Sequence, residues 1–552
     1  MHLPLAISAL IGLIPILVVL ILMVRYAWSA MKAMPLGWLV AVVLAVIFWR
    51  MPWNWILGAT FKGFIVSVDI LIIIFGAVLL YYDMLESGAI KIVTESVMGL
   101  SKDRRIQANL AWLLAAFFEG AAGFGTPGAV VGPLLLGIGF PAMVAAPLVL
   151  IFNSTPVSFG CVGIPIWGGV GWTLKTPEIQ QHLSAMGLEY NFWIHHIIGK
   201  YVGIIHGIIG TFLPLMALYF FIKWTNGKRE EFKEALPSIF IAGLVFTVPY
   251  TLIAIFIGSE LPSLLGSLAG LFIYAVLLKL GAFKYKKIYG FKEMEDRKNT
   301  MEESKIKPRI SIGVSFLPYI LVALSLIITR TIPGIKSFVE NNLVITLRDI
   351  FGTDIAQSIK LLNNPGLYFI IIVLLSHLFF RMRGKQIKKA WSTTIKRIAP
   401  ASIALLFAVA LSQVMILSGN NPYKLDSMVI MIAKGVATLT GKAYSIFAPF
   451  IGILGAYIAG SNTVSNIMFS GFQYATAYVL GLSRTIIVGE QVVGGAVGNM
   501  ICVHNVVAVC ATVGIIGKEG SVIKKNILPA IIYGMLAGII GTVLIFLSPG
   551  LF

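Results

Sequence analysis

Apolar runs of about 17 or more residues recur along almost the whole chain, from residue 5 to residue 546, and runs of that length cross a bilayer as helices. Two stretches that ought to continue the pattern are instead filled with glycine, proline, asparagine, serine, threonine and an acid. The first covers 118–127 and resumes at Asn153-Ser154-Thr155-Pro156; the second covers 459–466 and resumes at 489–495. Unpaired backbone is costly in hydrocarbon, so a broken helix persists only around a cavity enclosed by protein. One interruption in each half of a hydrophobic chain points to a transporter binding site near the midplane.

Composition narrows the class. Of 552 residues, 58% are hydrophobic and 12% charged, more apolar surface than a soluble fold of this size covers. The short alternating segments of a transmembrane β-barrel are absent. The expectation is an all-α polytopic membrane protein of about 12–14 transmembrane helices, judged by span length. Two pseudo-symmetric inverted repeats would each hold a broken-helix or hairpin region. The N-terminal half is placed at 1–282 with its broken region at 106–171, the C-terminal half at 311–552 with its broken region at 444–514. A charged cytoplasmic linker, 283–310, joins them, too poor in apolar residues to fold alone.

The formal net charge of +19 is explained by orientation. Arg381, Arg383, Lys385, Lys388, Lys389, Lys396 and Arg397 fill one loop; Lys284, Lys286, Lys287 and Lys292 begin another; Lys223, Lys228, Arg229 and Lys233 mark a third. Even numbers of spans separate these loops, so they share a face, and the positive-inside rule makes that face cytoplasmic. The protein is therefore expected in the cell membrane, multi-pass, with residues 1–24 a retained first span that starts outside. Nucleic-acid binding is the weaker reading of the charge. Cys161, Cys502 and Cys510 lack metal-ligand spacing and are expected to pack. Asp69 reads as an interfacial acid near the outer end of its span.

The broken regions share a plan: a glycine-rich break, about twenty apolar residues as a span requires, then a second break. The breaks fall at 119–126 and 153–160 in one half, and at 460–466 and 491–498 in the other. Glu119-Gly120-Ala121-Ala122-Gly123-Phe124-Gly125, with Asn153-Ser154-Thr155-Pro156-Val157-Ser158-Phe159-Gly160, resembles the L-lactate permease family. So do Gly460-Ser461-Asn462-Thr463-Val464-Ser465-Asn466 and Gly494-Gly495-Ala496-Val497-Gly498. The resemblance extends over nearly the whole chain. It implies uptake of lactate, glycolate and related 2-hydroxy monocarboxylates with protons, and the Ser-Asn-Thr break also resembles sodium-coupled dicarboxylate carriers. The chain departs from the family pattern at Glu490-Gln491 and around Asn499 to His504.

Three residues are candidates for proton coupling. Glu119 is an acid inside a span, where ionisable groups are expensive and functional by default; the alternative is a structural acid bonded to loosened backbone. Glu490 and His504 form a second pair, about one unwound segment apart, although a surface position and a helix cap are the plainer readings. Neutral donors and acceptors for a hydroxy acid come from Thr126, Asn153, Ser154, Thr155, Ser461, Asn462, Thr463, Ser465, Asn466 and Gln491, with Gly123 and Gly125 shaping the backbone. Singly, such residues more often glue helices together; clustered at paired breaks they suggest a site. No arginine in the broken regions is placed to clamp an anion, Arg484 being at a predicted turn, so half-helix N-termini are expected to hold the carboxylate.

The function so implied is import of L-lactate or a related 2-hydroxy monocarboxylate by proton symport with alternating access. The alternative is a sodium-coupled carrier of another organic anion such as a dicarboxylate. No phosphate-binding Gly-x-x-x-x-Gly-Lys-Ser/Thr loop, His-Glu-x-x-His pattern or paired intramembrane aspartates occur, which argues against an ATP-driven pump or a membrane enzyme. Partners are then a small organic acid, protons or sodium, and the lipid bilayer; no cofactor or metal is expected, and a homo-oligomer is left open.

Overall fold

The computed structural model describes residues 4–548 and 551–552, apart from 27, 124, 284, 286 and 291–309. Among the described residues, 11 helices are long and apolar enough to cross a membrane. The number is 12 if Ala142–Phe152 and Pro156–Thr173, bent by 53° at their junction, form one broken span. Thr126–Gly137 and Pro365–Phe379 are shorter apolar helices. This is the helical, polytopic class expected, at the low end of the expected count, because the breaks divide helices that length alone would treat as whole. A two-stranded antiparallel sheet, Val344–Leu347 against Gln357–Lys360, was not foreseen.

Two long helices, Trp53–Ser87 and Gly384–Leu417, run antiparallel through the molecule. Gly63 lies so near Ala410 that a Cβ there would stand 2.6 Å from the Ala410 Cα. Ser67 Oγ donates to the Leu405 carbonyl (3.4 Å), and Gln386 Nε2 to that of Glu86 (2.8 Å). Trp53–Ser87, at 35 residues, is longer than a bilayer-crossing run requires, and polar residues along it are paired inside the protein. Asn364 Nδ2 donates to Asp69 Oδ1 at 2.9 Å. Asp83 takes the Ser376 hydroxyl, with His377 Nε2 2.9 Å from its other oxygen. Asp69 is thus buried, not interfacial: a partner from Pro365–Phe379 and its N-cap replaces solvent.

The order of elements recurs after each long helix. A short helix comes first (Ala89–Met98; Met428–Thr440), then a helical hairpin (Arg104–Ala121 with Thr126–Gly137; Tyr444–Ala459 with Asn462–Leu480). A broken helix follows (Ala142–Phe152 into 156–173; Arg484–Gly498 into Val503–Thr512), then a long closing helix (Gly199–Trp224; Glu519–Leu547). The hairpins enter from opposite ends. After Thr126–Gly137 the chain turns where Phe140 stacks on Phe221 at 5.2 Å and Lys525 Nζ donates to the Met143 carbonyl at 2.6 Å, the end rich in lysine and arginine. After Asn462–Leu480 it turns at the other end, where Arg484 covers Phe552 at 3.6 Å and the Trp193 ring N–H donates to Thr485 at 2.8 Å.

Most of the predicted linker, 284, 286 and 291–309, lies outside the described residues. Its start closes a cluster at the basic end: Arg105 bonds Asp103 and Glu234, donates to the Lys287 carbonyl, and lies 4.1 Å from the Tyr285 ring centre.

Candidate functional site

Four interruptions of the helical backbone meet around one cavity of about 730 Å³, which reaches the basic end at Lys396 and Arg397. At the tip of the first hairpin Gly123 and Gly125 adopt φ of 61° and 80°, left-handed backbone that glycine enters without a Cβ clash. The Thr126 hydroxyl bonds the Gly123 carbonyl across this tip, and Pro127 opens the returning helix. At the tip of the second hairpin Gly460 has φ of 71° and Ser461 is extended before Asn462 begins its helix. The broken helices contribute 153–155 in one half and 499–502 in the other.

Glu119 lies in the last turn before the first tip, 4% exposed, and lines the cavity. Its carboxyl sits over Gly160, where a Cβ would overlap it, with the Asn153 side chain close by. Its Oε2 and the Asn153 Oδ1 have no hydrogen-bond partner among the described protein atoms. Asn462 has none for either amide atom, although the residue is only 2% exposed. Buried polar groups are normally paired, so three side chains that line this cavity, from both halves, carry buried polar atoms without a partner among the described residues.

Three helices begin at the cavity wall: Thr126–Gly137, Asn462–Leu480 and Val503–Thr512. None has a side-chain cap. First-turn N–H groups have no intrahelical acceptor, and with the helix dipole they favour an anion. Lys396 and Arg397, from Gly384–Leu417, add full positive charge. Sequence reasoning missed both because they sit on an unbroken helix and orientation already explained them. Tyr81, Tyr457, Asn499 and Asn505 also line the space, with Asn505 Nδ2 donating to Asn499 Oδ1 at 2.8 Å; of these the sequence marked only Asn499, at the start of the departure from the family pattern.

Of the residues singled out from the sequence, the structure brings Glu119, Gly123, Gly125, Thr126, Asn153, Ser461, Asn462, Thr463 and His504 to this cavity. The others face elsewhere. Ser154 Oγ donates to the Ile151 carbonyl, and Thr155 Oγ1 meets the Tyr533 hydroxyl at 3.2 Å. Ser465 donates to the Gly452 carbonyl, Asn466 to that of Pro165, and Gln491 bonds Ser465 and Gln473. Ser154 closes its own helix turn, and the other four hold elements together. Glu490 does not pair with His504: it lies in unbroken helix Arg484–Gly498, accepts from Ser445 Oγ at 3.1 Å and fits over Gly541. His504 stands alone of the two on the cavity, beside Gly460.

The glycines divide by role. Gly123, Gly125 and Gly460 supply left-handed backbone, whereas Gly120, Gly494 and Gly495 lie in regular helix and permit close approach, Gly495 to the Asn462 amide. Behind the 153–159 segment, fully buried His206 bonds Ser158 Oγ (2.7 Å) and the Tyr533 hydroxyl (2.6 Å), while the Tyr250 hydroxyl donates to the Thr155 carbonyl (2.9 Å). That network anchors the break to three long helices.

Comparison with known proteins finds the L-lactate permease family matching residues 8–548. A Haemophilus influenzae protein provisionally named an L-lactate permease is 33% identical, over 96% of this chain and 97% of its own. The L-lactate permease of Bacillus subtilis is 28% identical over 95% of this chain and 93% of its own. The glycolate permease of Escherichia coli K12 is 27% identical over 97% and 95%.

Proposed function

The chain belongs to the L-lactate permease family, and from that premise we propose that it imports L-lactate, or a related 2-hydroxy monocarboxylate such as glycolate, by proton symport with alternating access. As a member of that family it is a multi-pass membrane transporter of small organic acids. The observation that carries the finer reading is the convergence of Glu119, Asn153 and Asn462, each with an unpaired polar atom, on a cavity where three uncapped helix N-termini begin.

In this reading the N-termini and Asn462 hold the carboxylate, Asn153 and Ser461 engage the α-hydroxyl, and Glu119 carries the coupled proton. Lys396 and Arg397 collect anions at the mouth. The basic end is cytoplasmic by the positive-inside rule, so the cavity of this conformation opens inward. Hairpins entering from opposite ends, and antiparallel packing of the two long helices, support an inverted repeat whose halves exchange open and closed roles. Labelled L-lactate uptake by proteoliposomes tests it. External acidification should drive accumulation above equilibrium in a saturable manner. Accumulation driven only by a sodium gradient would favour the organic-anion alternative, and unsaturable flux would make the protein a channel.

A further inference from the structure

A second cavity, about 200 Å³, lies at the end remote from Lys396 and Arg397. One segment reaches both cavities: Ile164 and Pro165 line the central one, Trp167, Gly171 and Trp172 the second. Between them Gly169 meets Thr463, a residue of the second hairpin that also lines the central cavity. Residues 164–171 are therefore part of the wall between the cavities, packed against the first turns of Asn462–Leu480. They are preceded by Cys161, Val162 and Gly163, all left-handed at φ of 45°, 57° and 75°. For β-branched Val162 that backbone is a true outlier, the kind that concentrates where a chain must move.

The charges of this pocket are unequally matched. Arg330 is engaged: its Nε lies 3.0 Å from both Glu260 oxygens and its other nitrogens bond Asn363. Asp69 takes the Asn364 amide. Lys175 and Lys360, both half-buried, have no acid within ion-pair distance among the described residues. They lie near enough for Lys360 to disfavour the charged form of Lys175, whose Nζ is 4.7 Å from the Trp172 ring centre. Burial and then Lys360 hold the Lys175 pKa below its ordinary value, with Asp69 acting the other way. Glu189, Lys336 and Glu340 line the pocket as well, but neither Lys175 nor Lys360 has an ion-pair partner among the described residues, and two such ammonium groups in one pocket are stabilised by an anion placed between them. The volume is below the roughly 300–1,000 Å³ of drug-sized pockets and suits a solute of a few heavy atoms.

We propose that this pocket is a second carboxylate site, on the external side of the translocation path, where Lys175 and Lys360 hold the acid before it passes the 164–171 wall. Its placement as external rests on the transport reading above; its chemistry as an anion site does not.

The test uses the full-length protein in two assays. In the first, tryptophan emission of purified protein is titrated with acetate and with L-lactate, and W172F identifies the part of the signal from the pocket. Wild type should respond saturably to both, the K175Q/K360Q variant should lose the W172-dependent response, and the charge-conserving K175R/K360R variant should keep it. In the second, right-side-out vesicles carrying K175Q/K360Q should show a half-saturation for external lactate raised about tenfold, as expected for losing charged hydrogen bonds. Inverted vesicles should keep the wild-type value. A wild type with no W172-dependent carboxylate response, or a response that survives K175Q/K360Q, overturns the site. An unchanged external half-saturation overturns its place on the path. If wild type transports no lactate yet the Lys175- and Lys360-dependent response persists, the transport reading fails and the anion site stands.

Discussion

Replacing Asn462 by alanine separates a binding role from a packing role more sharply than any other substitution at the central cavity. The amide is nearly buried and both of its polar atoms lack partners, so truncation removes no hydrogen bond within the protein. In the proposed binding role, substrate would be its partner. A donor to a carboxylate contributes about 1.5–3 kcal/mol, and alanine should therefore raise the half-saturation for L-lactate roughly 10- to 150-fold. Gly495→Ala reaches the same atom from behind: a Cβ there would overlap Asn462 Oδ1 and displace the amide without deleting it. A loss of affinity in both variants, with a wild-type melting temperature, is the expected pair of results. Counterflow of labelled L-lactate in proteoliposomes reads the affinity, and thermal unfolding in detergent checks the fold. An unaltered half-saturation in Asn462→Ala would refute the argument from unpaired atoms.

Glu119→Gln keeps the shape of the side chain but cannot release a proton, so pH-driven accumulation should vanish while lactate exchange continues; unchanged accumulation would remove Glu119 from coupling. Lys396→Gln with Arg397→Gln should slow lactate capture from the basic side in inverted vesicles, and added salt should shrink the difference from wild type, because exposed charges steer anions over a screened range. A difference indifferent to salt would point to a direct contact instead. Arg105→Ala takes the guanidinium from the buried Asp103 carboxylate, and with it the contact to the Tyr285 ring. The cost should be about 3 kcal/mol, the low end for breaking a buried pair, seen as a lower melting temperature with substrate affinity intact.

Three of the four breaks were legible because their residues have no reason to face lipid; the fourth, expected at 491–498, is regular helix there, and the interruption falls at 499–502. Glycine, serine and asparagine in mid-span announce loosened backbone, and Glu119, Asn153 and Asn462 came from that argument alone. How deep each residue sits along its helix was not legible. Asn462 and Asn466 share a helix face one turn apart, yet Asn462 opens on the cavity while Asn466 donates to the Pro165 carbonyl. The same limit applies to the two acids. Both fall in apolar stretches of the sequence, and Glu490 read more plainly as a surface acid, yet one lies beside a left-handed hairpin tip and the other, fully buried, within regular helix against Ser445. Lys396 and Arg397 were hidden for a different reason: one feature of the chain, its basic loops, had two physical consequences, and orientation absorbed the first. The sheet at 344–360 escaped because two four-residue strands carry too little periodicity beside long apolar spans.

The central claim is that the interruptions of both halves build one binding cavity, and substrate protection of engineered thiols tests it most directly. In a background with Cys161, Cys502 and Cys510 replaced, Thr126→Cys and Ser461→Cys place a thiol at either hairpin tip, and Ser465→Cys places one behind. A membrane-impermeant maleimide applied to inverted vesicles should label the first two and not the third, and L-lactate should slow both reactions at the same half-maximal concentration. Protection of one tip without the other, or equal labelling of position 465, would contradict the account.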